Sequence, residues 1–445
     1  MKRKYNHSIF IPLLLLVTTL SWTSCKIDPI KDPNSPGAGS ITENASIGEI
    51  QNLVDGTESA MRDNMGNYFD GVGVIGREFY RYSTSDPRFT SDLLGKGTAI
   101  LDNNTFYTTN PFAARYRVIK NLNILISALQ NTKATISEAQ KKVGIAYAKT
   151  IQAYQLLLVF NQQYGNGIRV DVANPDNLGP FLSKDQSLDA IYNLLNSSYT
   201  DLIANPGVGF PFTTTLKKDS VGITDPGISF VKFNRAIAAR VAIYKKDWNG
   251  ALTALANSFM NLNGDLQNGI YHPFSTAGGD QLNPLFFPLN SKGETRVVQP
   301  NFVSEAEAND NRVSTKAILR ADTAFQDGLQ STYDFFVYPT NISSIPIIRN
   351  EELILIYAEA NAQLSNTMNA VDAINTIRNA AGLSDYGGAT DTNSLIDEIL
   401  KQRRYSLFGE GHRWIDMRRY DKLNLLPIDR PDDDVWMQFP RPANE

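Results

Sequence analysis

Apolar residues recur at helical intervals through most of the well-patterned chain. Val118, Leu122, Leu125 and Leu129 fall at i, i+4, i+7 and i+11, which is one face of an α-helix. A second pattern runs from Ser137 through Val143, Ala146, Thr150, Tyr154 and Leu157 and stops at Gly165-Asn166-Gly167, so the two segments predict a helical hairpin. The same spacing predicts helices over 47–64, 187–203, 230–245, 248–262, 350–365, 369–381 and 392–407. The stretches 69–111, 165–185, 206–228 and 263–334 break the pattern and are rich in Gly, Pro, Asn, Thr and aromatics. They are too long for plain connectors, which predicts an irregular, ordered surface with function attached.

Two predicted hairpins are alike. Residues 236–244 (AIAARVAIY) precede a polar turn and Trp248-Asn249-Gly250-Ala251, and residues 356–364 (IYAEANAQL) precede a polar turn and Met368-Asn369-Ala370. Their small alanines let paired helices approach closely. Such units resemble tetratricopeptide repeats, although the spacing between copies is not a multiple of that repeat, so insertions must separate them. The expected fold is mostly α, a scaffold of helical hairpins with long irregular loop insertions near 69–111, 206–228 and 263–334.

The first residues change the picture of where this scaffold works. Lys2, Arg3 and Lys4 precede an apolar run over 9–20 and a small, polar stretch ending at Ser24-Cys25, the order of a secretory signal peptide over 1–24. The run is shorter than the roughly 20 apolar residues that span a bilayer, and no later stretch is read as reaching that length, so the remainder is expected to lie outside the membrane. Cys25 is the single cysteine, which excludes an internal disulfide and a Cys-based zinc site. Its placement points to lipidation: Leu20, Thr23 and Ser24 resemble a bacterial lipobox, with Trp22 at a position usually small or aliphatic. Pro29, Pro33, Pro36, Gly37 and Gly39 make 25–46 read as a flexible tether between the lipidated cysteine and a folded domain over 47–445.

The formal net charge of −4 is unrelieved by any basic cluster interleaved with aromatics, which excludes nucleic acid as a partner. No Gly-x-Ser-x-Gly, phosphate loop or dinucleotide fingerprint is present, so no cofactor is expected. Glu410, His412 and Asp416 invite a catalytic or metal reading, but the chain has three histidines and one of them, His7, lies in the leader. Ion pairs fit better: Glu351, Glu352, Glu359 and Asp416 against Arg403, Arg404 and Arg418, with Trp414 and Phe408 as core anchors. Asp432-Asp433-Asp434 lacks the ligand spacing of a calcium loop and reads as a solvated acidic turn, so no metal site is expected.

Residues 350–364 (NEELILIYAEANAQL), 370–383 (AVDAINTIRNAAGL) and 396–419 (IDEILKQRRYSLFGEGHRWIDMRR), and the ending over 439–445 (FPRPANE), resemble the C-terminal signature of SusD/RagB-like proteins, the nutrient-binding surface lipoproteins of Bacteroidetes. Gln402 stands where glutamate is commoner, and Tyr164-Gly165-Asn166-Gly167-Ile168 is similar to a turn of the family without its usual proline. The resemblance implies a SusD-like fold and a non-enzymatic, lipid-anchored protein exposed on the outer membrane. It further implies capture of oligosaccharides for a SusC-like TonB-dependent transporter. Peptide capture, as in RagB-like relatives, and a surface glycoside hydrolase using carboxylates such as Glu78 and Asp86 are the alternatives. Flat aromatic rings beside Arg and Asp suit sugar or peptide ligands. That chemistry is dense in Arg77, Tyr80, Arg81, Tyr82, Asp86 and Arg88, and recurs at Tyr271 and His272, which are the candidate ligand residues.

Overall fold

A computed structural model describes residues 38–218, 221–222 and 230–445; Cys25, the leader and parts of the tether and of the 206–228 insertion lie outside the described residues. Helices α1 (Ala38–Asn44), α2 (Ile47–Ala60) and α3 (Met65–Ile75) open the fold. The segment read as a tether therefore ends in a helix, held where Asn131 Nδ2 donates to the Thr42 carbonyl at 2.9 Å and Thr132 Oγ1 to the Ala45 carbonyl at 2.5 Å. Ser46 starts α2 with a capping box: its hydroxyl accepts from the Glu49 amide while the Glu49 side chain accepts from the Ser46 amide. Strand β1 (Phe79–Ser83) follows, then α4 (Phe106–Asn131), α5 (Glu138–Gln163) and α6 (Lys184–Ile203). Ser137 with Gln140 and Ser183 with Gln186 repeat the capping box at α5 and α6.

The two-residue strands β2 (Lys217–Lys218) and β3 (Val221–Gly222) precede the hairpin of α7 (Val231–Tyr244) and α8 (Trp248–Ala256). Each helix from α4 to α8 packs on the next, which is the expected hairpin scaffold. Strands β4 (Gly269–His272) and β5 (Glu294–Val298), short helices α9 (Asn301–Ser304) and α10 (Asn311–Lys316), and strands β6 (Ala317–Gln326), β7 (Leu329–Phe335) and β8 (Ile345–Arg349) come next. The chain then returns to helix in α11 (Asn350–Gln363), α12 (Thr367–Ala380), α13 (Thr392–Ser406) and α14 (Arg413–Arg419), with α11 closing against α7 and α8.

Two regions expected to be irregular hold regular structure. The 69–111 stretch contains the end of α3, all of β1 and the start of α4; the 263–334 stretch contains β4 to β6 and all of β7 but Phe335. The strands form two four-stranded antiparallel sheets, ordered β1-β5-β7-β6 and β3-β2-β4-β8. Their alternation is concealed because Arg81, Arg296, Arg320 and Asp334 are buried mid-strand, where an apolar residue carries the usual signal.

The main core gathers Leu122, Tyr147, Leu157, Phe233, Val298 and Trp414, while a second cluster of Ile354, Leu355, Ile374, Ile377, Leu395 and Ile399 joins α11, α12 and α13. Against the sequence expectation, the α5 region is long and apolar enough to cross a membrane; 89% of its apolar window is buried inside the molecule, so the core uses that apolarity.

Candidate functional site

Pairing of β1 with β5 sets Arg81 opposite Arg296 in register, and both guanidinium groups converge on Asp70 of α3. Arg296 holds Asp70 through Nε at 2.6 Å and Nη2 at 2.8 Å, a bidentate pair. Arg81 lies 3.8 Å from the same carboxylate and reaches outward to Glu294 at 2.5 Å. Phe287 packs against both cations, with its ring centre 4.8 Å from the Arg81 guanidinium carbon and 5.0 Å from that of Arg296.

Glu294 marks where this buried lattice meets solvent. Its side chain is 38% exposed and accepts hydrogen bonds from Ser83 Oγ at 2.7 Å and Ser85 Oγ at 3.0 Å. Those hydroxyls and Arg81 outweigh partial burial and hold its pKa down at about 2. Beside it, Asp86 caps a single 3-10 turn and is bridged by Arg88 at 2.8 and 2.6 Å. The Arg88 hydrogen bonds hold the Asp86 carboxyl below its ordinary value. Arg88 also stacks 5.0 Å over Phe106, leaving a polar rim with half-buried rings at its margin.

The sequence candidates separate sharply by depth. Asp86 and Arg88 lie at this surface, whereas Arg77, Tyr80, Arg81, Tyr82, Tyr271 and His272 are buried. Arg77 binds the carbonyls of Asp434 (2.6 Å) and Pro427 (3.1 Å), so it fastens the C-terminal loop. Tyr80 and Tyr82 stack on each other 6.0 Å apart inside the core. His272 faces Tyr154 Oη at 3.2 Å, and burial lowers its pKa to about 3, which keeps the ring neutral. As placed, buried side chains present no face to a large ligand; they support the wall. Glu294, Ser85, Phe106 and Phe287 were missed. The signal was the turn at Gly293 followed by the apolar Val297-Val298 end of a short strand.

The C-terminal signature forms a second lattice, and it is structural. Arg403 pairs with Asp416 at 2.6 Å as expected, but Arg404 pairs with Glu305 and Arg418 binds no carboxylate among the described residues. Arg418 instead donates to the carbonyls of Met437 and Asn161 and packs 4.4 Å from Trp414. Arg419, which was not among the expected partners, pairs with Glu359 and Asp416, while Glu352 pairs with Arg240 and Glu351 with Arg349. Trp414 and Phe408 are fully buried. Burial lowers the His412 pKa to about 4, so it stays neutral 3.8 Å from Glu352. In the acidic turn Asp433 pairs with Arg430 at 2.7 Å, and Asp432 and Asp434 are exposed. No cluster of His, Cys, Asp and Glu fit to hold a metal occurs among the described residues.

Residues 337–441 match the SusD family model, spanning the second lattice. SusD-like protein P38 from Formosa agariphila is 33% identical over 111 residues, which is 22% of this chain and 22% of that protein. The chain thus aligns with about a fifth of that relative's length. A SusD superfamily protein from Bacteroides vulgatus superposes with a TM-score of 0.66 at 15% identity, covering 90% of this chain and 96% of the other. Surface glycan-binding protein A from Bacteroides thetaiotaomicron gives 0.67 at 15% identity, covering 89% and 96%. The same protein in complex with laminarihexaose gives 0.66 at 14% identity with the same coverage. Residues 337–441 thus match the SusD family, and the fold along nearly the whole chain is the one seen in SusD superfamily structures.

Proposed function

We propose that this chain is a cell-surface lipoprotein that binds oligosaccharides without altering them and passes them to a SusC-like TonB-dependent transporter. The observation that carries the reading is the rim of Glu294, Ser85, Asp86 and Arg88 beside Phe287 and Phe106. It offers ionised acceptors, a guanidinium and ring faces on one surface. Carboxylates and guanidinium groups suit sugar hydroxyls, and rings suit their C–H faces. A relative of the same fold forms a complex with a glucan hexamer, laminarihexaose, which supports that ligand class. Glycosidic cleavage needs one carboxyl kept protonated, yet Asp86 and Glu294 are both held ionised. Glu78 does hold its proton, but it is 3% exposed and out of reach of a glycan.

Calorimetry with laminarihexaose, a wider oligosaccharide panel and a mixed peptide digest tests the reading. We expect saturable sugar binding, at least about tenfold weaker in Arg88→Ala and Glu294→Gln, with the sugar recovered intact. Absence of sugar binding, or recovery of cleaved products, would refute it; binding of peptides alone would transfer the site to the RagB-like alternative. The lipid anchor at Cys25 rests on the leader and lipobox pattern. Replacing Cys25 with Ala is expected to release the protein from the outer membrane fraction, and continued membrane association would sink the anchor.

A further inference from the structure

A cleft of about 320 Å³ opens between α10, the β4–β8 strand pair and the C-terminal end of α12, and shares no residue with the rim around Glu294. Its size sits at the small end of ligand pockets, roughly 300–1,000 Å³. Its floor is charged but internally compensated. Arg349 lies between Glu351 and Glu410, reaching Glu410 at 2.8 Å, and Arg312 is held by Asp310 at 2.6 Å. Lys316 Nζ donates to the carbonyls of Tyr405 (2.7 Å) and Ser406 (2.5 Å), at the negative end of α13. Loss of solvation and the nearby Arg349 and Arg312 bring its pKa down to about 8, against the pull of Glu351 and Glu410.

Two consequences follow from that arrangement. The wall charges sum to zero, Arg349 and Lys316 against Glu351 and Glu410 and Arg312 against Asp310, so a ligand carboxylate, phosphate or ammonium gains little here. Hydrogen-bonding capacity does remain: the third N–H of Lys316, the spare lone pairs of Glu410, the Ser344 hydroxyl and the Gln267 amide. Leu266, Val337, Pro346 and Ile377 add apolar side chains to the lining. A lining that mixes apolar side chains with neutralised hydrogen-bonding groups complements a single sugar ring, which carries C–H faces and hydroxyl edges.

We propose that this cleft is a second ligand site, which takes a neutral polyol of monosaccharide size. It stands apart from the rim and does not depend on the rim binding a glycan. Tyr271, singled out in the sequence, lines this cleft and not the rim.

Calorimetric titration of the full chain with hexoses, pentoses and hexitols tests the site, alongside Ala380→Trp and Glu294→Gln. Ala380 is exposed at the cleft mouth, so tryptophan there covers the opening without touching the floor. Thr315→Trp, also at an exposed lining position, gives a second obstruction, and an unchanged unfolding temperature shows that either variant is folded. The expected result is saturable binding of at least one of these sugars. That binding should be unchanged in Glu294→Gln and weakened at least about tenfold by an obstructing variant. The site is refuted if no sugar binds up to its solubility, or if binding survives obstruction and falls with Glu294→Gln. Binding of glycine or inorganic phosphate in place of sugars, removed by obstruction, would overturn the neutral class.

Discussion

Glu78 shows how far burial alone sets the chemistry of a side chain. One oxygen accepts the Gly409 amide at 3.0 Å, and the other has no hydrogen-bond partner among the described residues. Loss of solvation, reinforced by Glu410 and Asp416 and opposed by the Gly409 amide and Arg413, pushes its pKa from 4.5 up to about 8. Between those values the folded chain holds a proton that the unfolded chain has released, so stability falls as pH rises through this window. Glutamine has the same shape, keeps an acceptor for Gly409 and carries no charge to bury. Glu78→Gln is therefore expected to raise stability at pH 8 relative to pH 5 by on the order of 2–4 kcal/mol, read from urea melts at both values. A difference that does not depend on pH would contradict a protonated Glu78. The same burial explains why Arg77, Arg81, Tyr80 and Tyr82 misled a reading for ligand contacts. Arginine and tyrosine at high density serve a buried hydrogen-bonded lattice as well as a binding wall, and only depth separates the two.

Among elements, helices were legible and strands were not, for a reason visible in particular residues. Predicted 392–407 is Thr392–Ser406 and predicted 369–381 is Thr367–Ala380, because Leu395, Ile396, Ile399 and Ala373, Ile374, Ile377 fill one face each. The predicted 47–64 helix ends at Ala60, with α3 starting beyond it at Met65, and 248–262 stops at Ala256, since the turn beyond it contributes Met260 and Leu262 only as flanking cover. Strand β5 carries Arg296 inward to Asp70, and β7 carries Asp334 inward to Arg320, so each strand has a charged residue at a buried position where alternation would look for an apolar one. Burying a charge is tolerated only with its partner in place, and these partners lie hundreds of residues away or across a hairpin. The candidate site inherits that difficulty: Glu294 is positioned by Arg81 and Ser83, which only strand pairing brings near. Asp86 and Arg88 were legible because a local Asp-Pro-Arg turn makes their contact within three residues.

For the molecule as a whole, the last stretch of chain ties together elements that are far apart in sequence. Phe439 is fully buried against Trp414 and Tyr107, and its amide donates to the Gln162 carbonyl at 2.8 Å. Trp414 Nε1 donates to the Trp436 carbonyl, Arg418 to that of Met437, Arg77 to that of Asp434, and Arg169 pairs with Glu445. One segment thus satisfies buried donors from α14 and from the turn before β1, and a half-buried one from the loop after α5. The Phe439 ring also fills the space that Gly71 leaves open: a Cβ on Gly71 would come within 2.9 Å of it. Truncating the ring opens a cavity at this junction while leaving the backbone hydrogen bonds of Phe439 possible. Phe439→Ala is expected to cost about 3–5 kcal/mol in a denaturant melt. Because the tail closes the helical scaffold onto the β1–β5 sheet, the loss should appear as one cooperative transition shifted to lower denaturant. A loss below ~1 kcal/mol would show that the tail merely lies on a scaffold already complete. In that case the orientation of β1, and with it the rim around Glu294, would be set by the Asp70 lattice alone.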